Sequence, residues 1–167
     1  MKKMVLMVLM MSLTLSLMAP ENPLLQDQIK QKRLEIEKQE RDRRLKHQRI
    51  TRILSTLRYV EARDDYFAKG SSNEYGAYQF TPSTWAYYSK MFFDEVLDIT
   101  VPENQDRVAY KKVAMMVDLG YSDQQIAATW NYGSPTGWEK KIGVNRYGAR
   151  YNVPAYVNKF MSKLETT

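Results

Sequence analysis

The 167-residue sequence has no cysteine and a single histidine, His47. The first absence excludes a disulfide framework and a zinc knuckle. The second excludes multi-histidine metal sites and leaves little room for a Ser-His-Asp triad. Aromatic residues are absent before Tyr59, and all twenty lie between Tyr59 and Phe160. Alternating apolar and polar runs of the kind that make strands are also missing. No metal or cofactor is therefore expected.

What is present is uneven. The chain carries 25 Lys+Arg against 19 Asp+Glu, a formal charge of +6. Residues 24–58 hold 11 basic and 5 acidic residues, net +6, whereas residues 59–167 hold 12 basic and 13 acidic, net −1. The aromatic part is thus not a basic nucleic-acid binder. Residues 1–19 read as a signal peptide: Lys2-Lys3, an apolar run from Met4 to Met18, then the small Ala19 before Pro20. The run falls short of the roughly 20 residues a spanning helix wants. An uncleaved N-terminal anchor is the competing reading, and both place the rest of the chain in the periplasm or cell envelope.

Residues 20–49 are expected to form a charged, partly helical arm, rich in helix formers and without a heptad register. It reads as a solvated spacer or, through the basic stretch 24–58, as a tether to an anionic polymer or an envelope-spanning assembly partner. Residues 50–167 form the expected working domain, mainly α, a single unit and a monomer. Ile50, Ile53, Leu54, Leu57 and Val60 have the spacing of an amphipathic helix. Thr81-Pro82 opens a second helix, Thr100 to Glu103 a third that Gly120 closes, and Ser122 with Gln125 caps a fourth. Asn131 to Gly148 is expected as loop, and a last helix starts at Pro154 and runs to Leu164.

One residue sits on the wrong face. Glu61 follows Ile50 by 11 positions, which returns it to within about 20° of that residue's azimuth at 100° per residue. A carboxyl on the core stripe at a helix C-terminus is disfavoured in its charged form by burial and by the helix dipole. Both effects raise its pKa toward that of a general acid. The competing reading is a helix-end Glu that reaches solvent.

The segment from Val60 to Trp85, VEARDDYFAKGSSNEYGAYQFTPSTW, resembles the core motif of the lysozyme-like lytic transglycosylases. In that family a Glu ends a buried helix, then a polar loop leads to a Gly-x-x-Gln stretch and a Thr-Pro helix start. Glu61, Gly76-Ala77-Tyr78-Gln79-Phe80 and Thr81-Pro82-Ser83-Thr84 match these pieces in order. Trp130-Asn131-Tyr132-Gly133 and Val153-Pro154-Ala155-Tyr156-Val157 resemble the family's Asn and Tyr segments. Ala62 stands where the family has Ser, and Trp130 where it has Tyr.

The resemblance implies a lysozyme-like fold and cleavage of peptidoglycan between MurNAc and GlcNAc, with Glu61 as the sole catalytic residue and 1,6-anhydromuramyl products. It also implies a glycan groove containing Tyr78, Gln79, Trp130, Asn131 and Tyr156. Asp64, Asp65 and Glu74 are candidates for a second carboxylate, with turn formation the competing role for the two Asp. Trp85, Tyr87, Tyr88, Phe92 and Phe93 are expected in the core or outer wall, and Trp138 and Tyr147 at distal subsites. A hydrolytic muramidase and a non-catalytic peptidoglycan-binding protein remain open alternatives.

Overall fold

The computed structural model describes residues 23–144 and 150–167. The expected signal peptide and Tyr147 lie outside the described residues. The described part is mainly helical, as expected. Five helices run α1 (Pro23–Ala62), α2 (Pro82–Phe93), α3 (Pro102–Asp118), α4 (Asp123–Tyr132) and α5 (Val153–Leu164). Between α4 and α5 lie two three-residue strands, β1 (Ile142–Val144) and β2 (Arg150–Asn152), paired antiparallel with Gly143 opposite Tyr151. This hairpin falls in the stretch expected to be loop. Three-residue strands are too short for alternation to register in sequence. No helix among the described residues is long and apolar enough to cross a membrane.

The chain divides into two units, Met1–Arg44 and Leu45–Thr167. The described part of the first is helix throughout rather than in part. Its side chains are almost all exposed, with Leu24 74% and Leu34 51% accessible. The second unit starts five residues before the expected boundary, and this changes where the charge belongs. Residues 24–44 hold seven basic and five acidic residues, net +2. The other four basic residues, Lys46, Arg49, Arg52 and Arg58, belong to the second unit. Three of them are paired there: Lys46 with Asp118, Arg49 with Asp123 at 2.8 Å, and Arg58 with Asp64 at 3.2 Å and Asp106 at 3.4 Å. Half of the +6 excess is therefore matched by ion pairs inside the folded unit. Residues 24–44 of the first unit keep only +2 of the +6.

The second unit is built on the apolar stripe of α1. Ile50, Ile53 and Leu57 are fully buried, and Leu54 and Val60 nearly so. They join Ala77, Tyr78, Phe80 and Trp85, and then Val108, Val113 and Met116 of α3, Ile126 of α4, and Val157 and Phe160 of α5. Helix entries follow local chemistry. Thr81 accepts the Thr84 N–H, Ser122 and Gln125 form a full capping box, and Asn152 accepts the Ala155 N–H.

The loop from Arg63 to Phe80 has little regular structure and is pinned from α3. Gln105 is fully buried; its Oε1 accepts the Ala77 N–H at 2.9 Å, and its Nε2 donates to the carbonyls of Tyr66 (2.9 Å) and Ile99 (2.8 Å). Gly76, at φ +82°, lets the Gln105 amide approach: a Cβ there would lie 2.1 Å from its Oε1. Beside it, Asp106 accepts the hydroxyls of Tyr66 (2.9 Å) and Tyr78 (2.7 Å), and Arg58 donates to the Tyr78 oxygen at 3.2 Å. Replacing Gln105 by Leu keeps the volume but orphans one backbone N–H and two carbonyls. Urea unfolding of Gln105→Leu is expected to show a loss of about 3 kcal/mol or more. A loss under about 1 kcal/mol would mean that the loop does not depend on this side chain.

Candidate functional site

Glu61 lies one residue before the end of α1. The chain leaves the helix through two left-handed residues, Arg63 (φ 54°) and Asp64 (φ 64°), neither of them Gly. Such a turn costs about 1–3 kcal/mol per strained residue, so the surroundings must hold it. The Asp64 N–H donates to the Arg58 carbonyl at 3.2 Å, and the Asp64 carboxylate pairs with Arg58. The turn ends α1 abruptly and leaves Glu61 in the wall of a cleft of about 780 Å³.

The Glu61 carboxyl is partly buried, and Oε1 accepts the Tyr156 hydroxyl at 2.5 Å. Desolvation raises its pKa to about 6. The Tyr156 bond and the charges of Lys159 and Lys112 oppose that rise, and the charge of Glu74 adds to it. Lys159 is fixed by donating to the Val60 carbonyl at 2.9 Å, where a cation meets the negative end of α1. Tyr156 is itself pushed well above the usual tyrosine range, chiefly by burial and then by the Glu61 charge. It stays neutral and donates. A carboxyl near 6 is divided between acid and base close to neutral pH, which suits a group that gives a proton and then takes one. Tyr156→Phe removes a bond that favours the carboxylate. It is expected to move Glu61 up by about one further unit, read from the pH titration of its side-chain carboxyl carbon by NMR. An unchanged midpoint would mean that the bond does not set the ionisation.

The sequence-derived site residues separate into three groups. Glu61, Gln79, Trp130 and Asn131 all line the cleft, and Tyr156 backs Glu61. Asn131 is an exposed amide of the cleft lining, whereas the Gln79 amide nitrogen is committed locally. Its Nε2 donates to the Gly76 carbonyl at 2.8 Å, and Gln79 sits at φ 49°. Through this bond it helps to shape the loop.

Tyr78 also lines the cleft, but from beneath its surface: its side chain is fully buried and its hydroxyl is given to Asp106. Trp130 is half-buried. Its ring packs at 5.3 Å from Phe80 and 6.0 Å from Tyr78, and the Lys112 ammonium covers it at 3.9 Å from the centroid. The exposed aromatics of the cleft are instead Tyr87, 62% accessible and edge-on to Tyr88, and Tyr132, 41% accessible. Tyr88 also lines the cleft, while Trp85 is buried and donates Nε1–H to the Leu97 carbonyl at 2.7 Å. Trp138 packs against the core, outside the cleft lining.

The carboxylate candidates also resolve. Asp64 is held by Arg58, and Asp65 accepts the Phe67 N–H at 2.8 Å in an ordinary turn; neither lines the cleft. Glu74 does line it, with Oε2 accepting the Ser72 N–H at 2.8 Å. Gly70 makes room: a Cβ there would lie 2.3 Å from Glu74 Oε2 and 2.6 Å from Gln79 Oε1.

Two residues of the cleft had no place in the sequence reading. Thr129 lines it with a buried hydroxyl that has no partner among the described residues. Lys112 of α3 is only 5% exposed, and burial lowers its pKa to about 8 against the pull of Glu61. Its signal was available, since Lys112 lies four residues after Val108 and four before Met116, on the buried stripe of α3. No family model, curated protein or solved structure matches this chain.

Proposed function

We propose that the chain is an exported lytic transglycosylase of lysozyme-like fold that cleaves the MurNAc–GlcNAc bond of peptidoglycan. The observation that carries this reading is a partly buried carboxyl with pKa near 6, held by Tyr156 in the wall of a cleft that also presents exposed tyrosines and an amide. The motif resemblance around Glu61 supplies the substrate class. Glu61 protonates the bridging oxygen as the C1–O bond breaks. Its carboxylate then takes the proton of the C6 hydroxyl of the same sugar as that oxygen bonds to C1. The leaving alcohol keeps the first proton, the 1,6-anhydro ring closes, and no water is consumed. Tyr87, Tyr132 and Asn131 are the groups we assign to sugar faces and acetamido or hydroxyl groups.

A hydrolytic second reading has one observation in its favour. Glu74 faces the same cleft and is electrostatically coupled to Glu61, so it is the carboxylate that would activate a water. Digestion of purified sacculi, with mass analysis of the released muropeptides, tests both. Anhydromuramyl ends support transglycosylation and reducing ends support hydrolysis. No release from the wild-type chain would overturn the enzymatic reading and leave glycan binding alone.

A further inference from the structure

Lys112 is a buried cation enclosed by rings. Its Nζ lies 3.9 Å from the Trp130 centroid, 4.9 Å from Tyr88 and 5.7 Å from Phe80. An ammonium has three N–H donors and no acceptor. Among the described residues none of those donors has an oxygen or nitrogen partner, and the residue lines the same cleft as Glu61. The rings favour a cation, by up to about 2 kcal/mol for a desolvated pair. They are not hydrogen-bond acceptors of ordinary strength, and Nζ, which is not among the fully buried atoms without a partner, keeps its donors open to the cleft. Moreover, the cation occupies the Trp130 face against which it lies, so a sugar ring does not stack there. Rings and ammonium together form a built donor site lacking its acceptor.

The geometry points to Lys112 as a substrate-binding residue, whose ammonium, cradled on Trp130, donates to a carbonyl or carboxyl oxygen of the glycan unit seated beside Glu61. This inference rests on the glycan-cleaving reading and deepens it. Two substituents of the polymer carry such an oxygen: the acetamido group at C2, present on every unit, and the lactyl carboxylate of the muramyl unit. Trp130 then serves as the platform of the cation and not of the sugar. Its replacement by Phe or Tyr would keep a ring under the ammonium.

Calorimetric titration of the full chain tests this, with Glu61→Gln as the parent so that the sugar is not turned over. The ligands are a neutral GlcNAc tetramer and a GlcNAc–MurNAc tetrasaccharide with free lactyl groups. The neutral ligand removes any contribution from the basic arm. Adding Lys112→Met, which keeps the aliphatic stem, is expected to weaken binding tenfold or more. A loss for both ligands assigns the acetamido oxygen, and a loss for the muramyl ligand alone assigns the lactyl carboxylate. Unchanged affinity for both, in a protein that melts at or above the parent's temperature, overturns the inference and leaves the enzymatic reading standing. A parent that binds neither ligand overturns both. If the Met variant fails to fold, Lys112→Gln carries the same comparison.

Discussion

Glu61→Gln is expected to lose about 10³-fold or more of the cleavage rate and, above pH 6, to be more stable than the wild type. The first effect follows from removing a cleft carboxyl whose pKa is raised toward neutrality; acid–base catalysis by one such group contributes about 10²–10⁴-fold. The second has the opposite sign and comes from the same burial. Glu61 titrates near 6 in the folded chain and near 4.5 as a free side chain. A raised carboxyl pKa means that the charged form costs folding free energy. That cost is absent below about pH 4.5, grows as pH rises through 6, and is full above it. A shift of one and a half units corresponds to at most about 2 kcal/mol, less what solvent at the cleft screens away. Glutamine keeps an oxygen for the Tyr156 hydroxyl and carries no charge. Urea unfolding at pH 4 and at pH 7.5 should therefore show equal stabilities at the lower pH and a gain for the variant at the higher. A variant that folds and retains wild-type activity would mean that another group supplies the proton. A variant destabilised at pH 7.5 would mean that Glu61 is structural, part of a favourable ion network with Lys159 and Lys112.

The sequence made Glu61 visible because a helix has a fixed period. Five apolar residues defined a face, and the acid was found on it. Two caps were equally legible, because Thr81 and Ser122 with Gln125 act on backbone donors three residues away. Everything that depended on contacts between distant segments was not. Tyr78 and Tyr87 are both tyrosines in aromatic-rich stretches. One is fully buried because Asp106 and Arg58, 28 and 20 residues away in the chain, take its hydroxyl; the other is 62% exposed. No local pattern distinguishes them. The charge was misread for a similar reason. Lys46, Arg49 and Arg58 count with the basic stretch 24–58 in sequence because their acids, Asp118, Asp123 and Asp106, lie 48 to 74 residues further on. Lys112 is different. The azimuth test that singled out Glu61 would have placed Lys112 on the buried stripe of α3, between Val108 and Met116. A cation there and an acid on α1 were two halves of one signal.

Those two halves set the final expectation, a stability gain for Lys112→Met that depends on pH. Burial lowers the Lys112 pKa from 10.5 to about 8. Between those values the unfolded chain holds a proton that the folded chain has released. The cost of burying the ammonium is therefore full below pH 8, shrinks as pH rises from 8 to 10.5, and vanishes above. A shift of that size corresponds to about 3 kcal/mol. The cation–π contact with Trp130 offsets up to about 2 kcal/mol of it. Methionine has similar length and no charge, so Lys112→Met should be more stable than the wild type by about 1–3 kcal/mol at pH 7 and equal to it near pH 11. The Glu61→Gln, Lys112→Met double variant adds a sharper reading. Each single change sacrifices the attraction between the two charges, and the double change sacrifices it once. Its gain at pH 7.5 should then exceed the sum of the single gains by about 1 kcal/mol. Additive gains would mean that the two groups do not feel one another across the cleft. A Lys112→Met variant less stable than the wild type at pH 7 would mean that the ammonium belongs to the core for structural reasons. A gain in stability together with weaker glycan binding would mean that the fold keeps a costly buried charge because the site uses it.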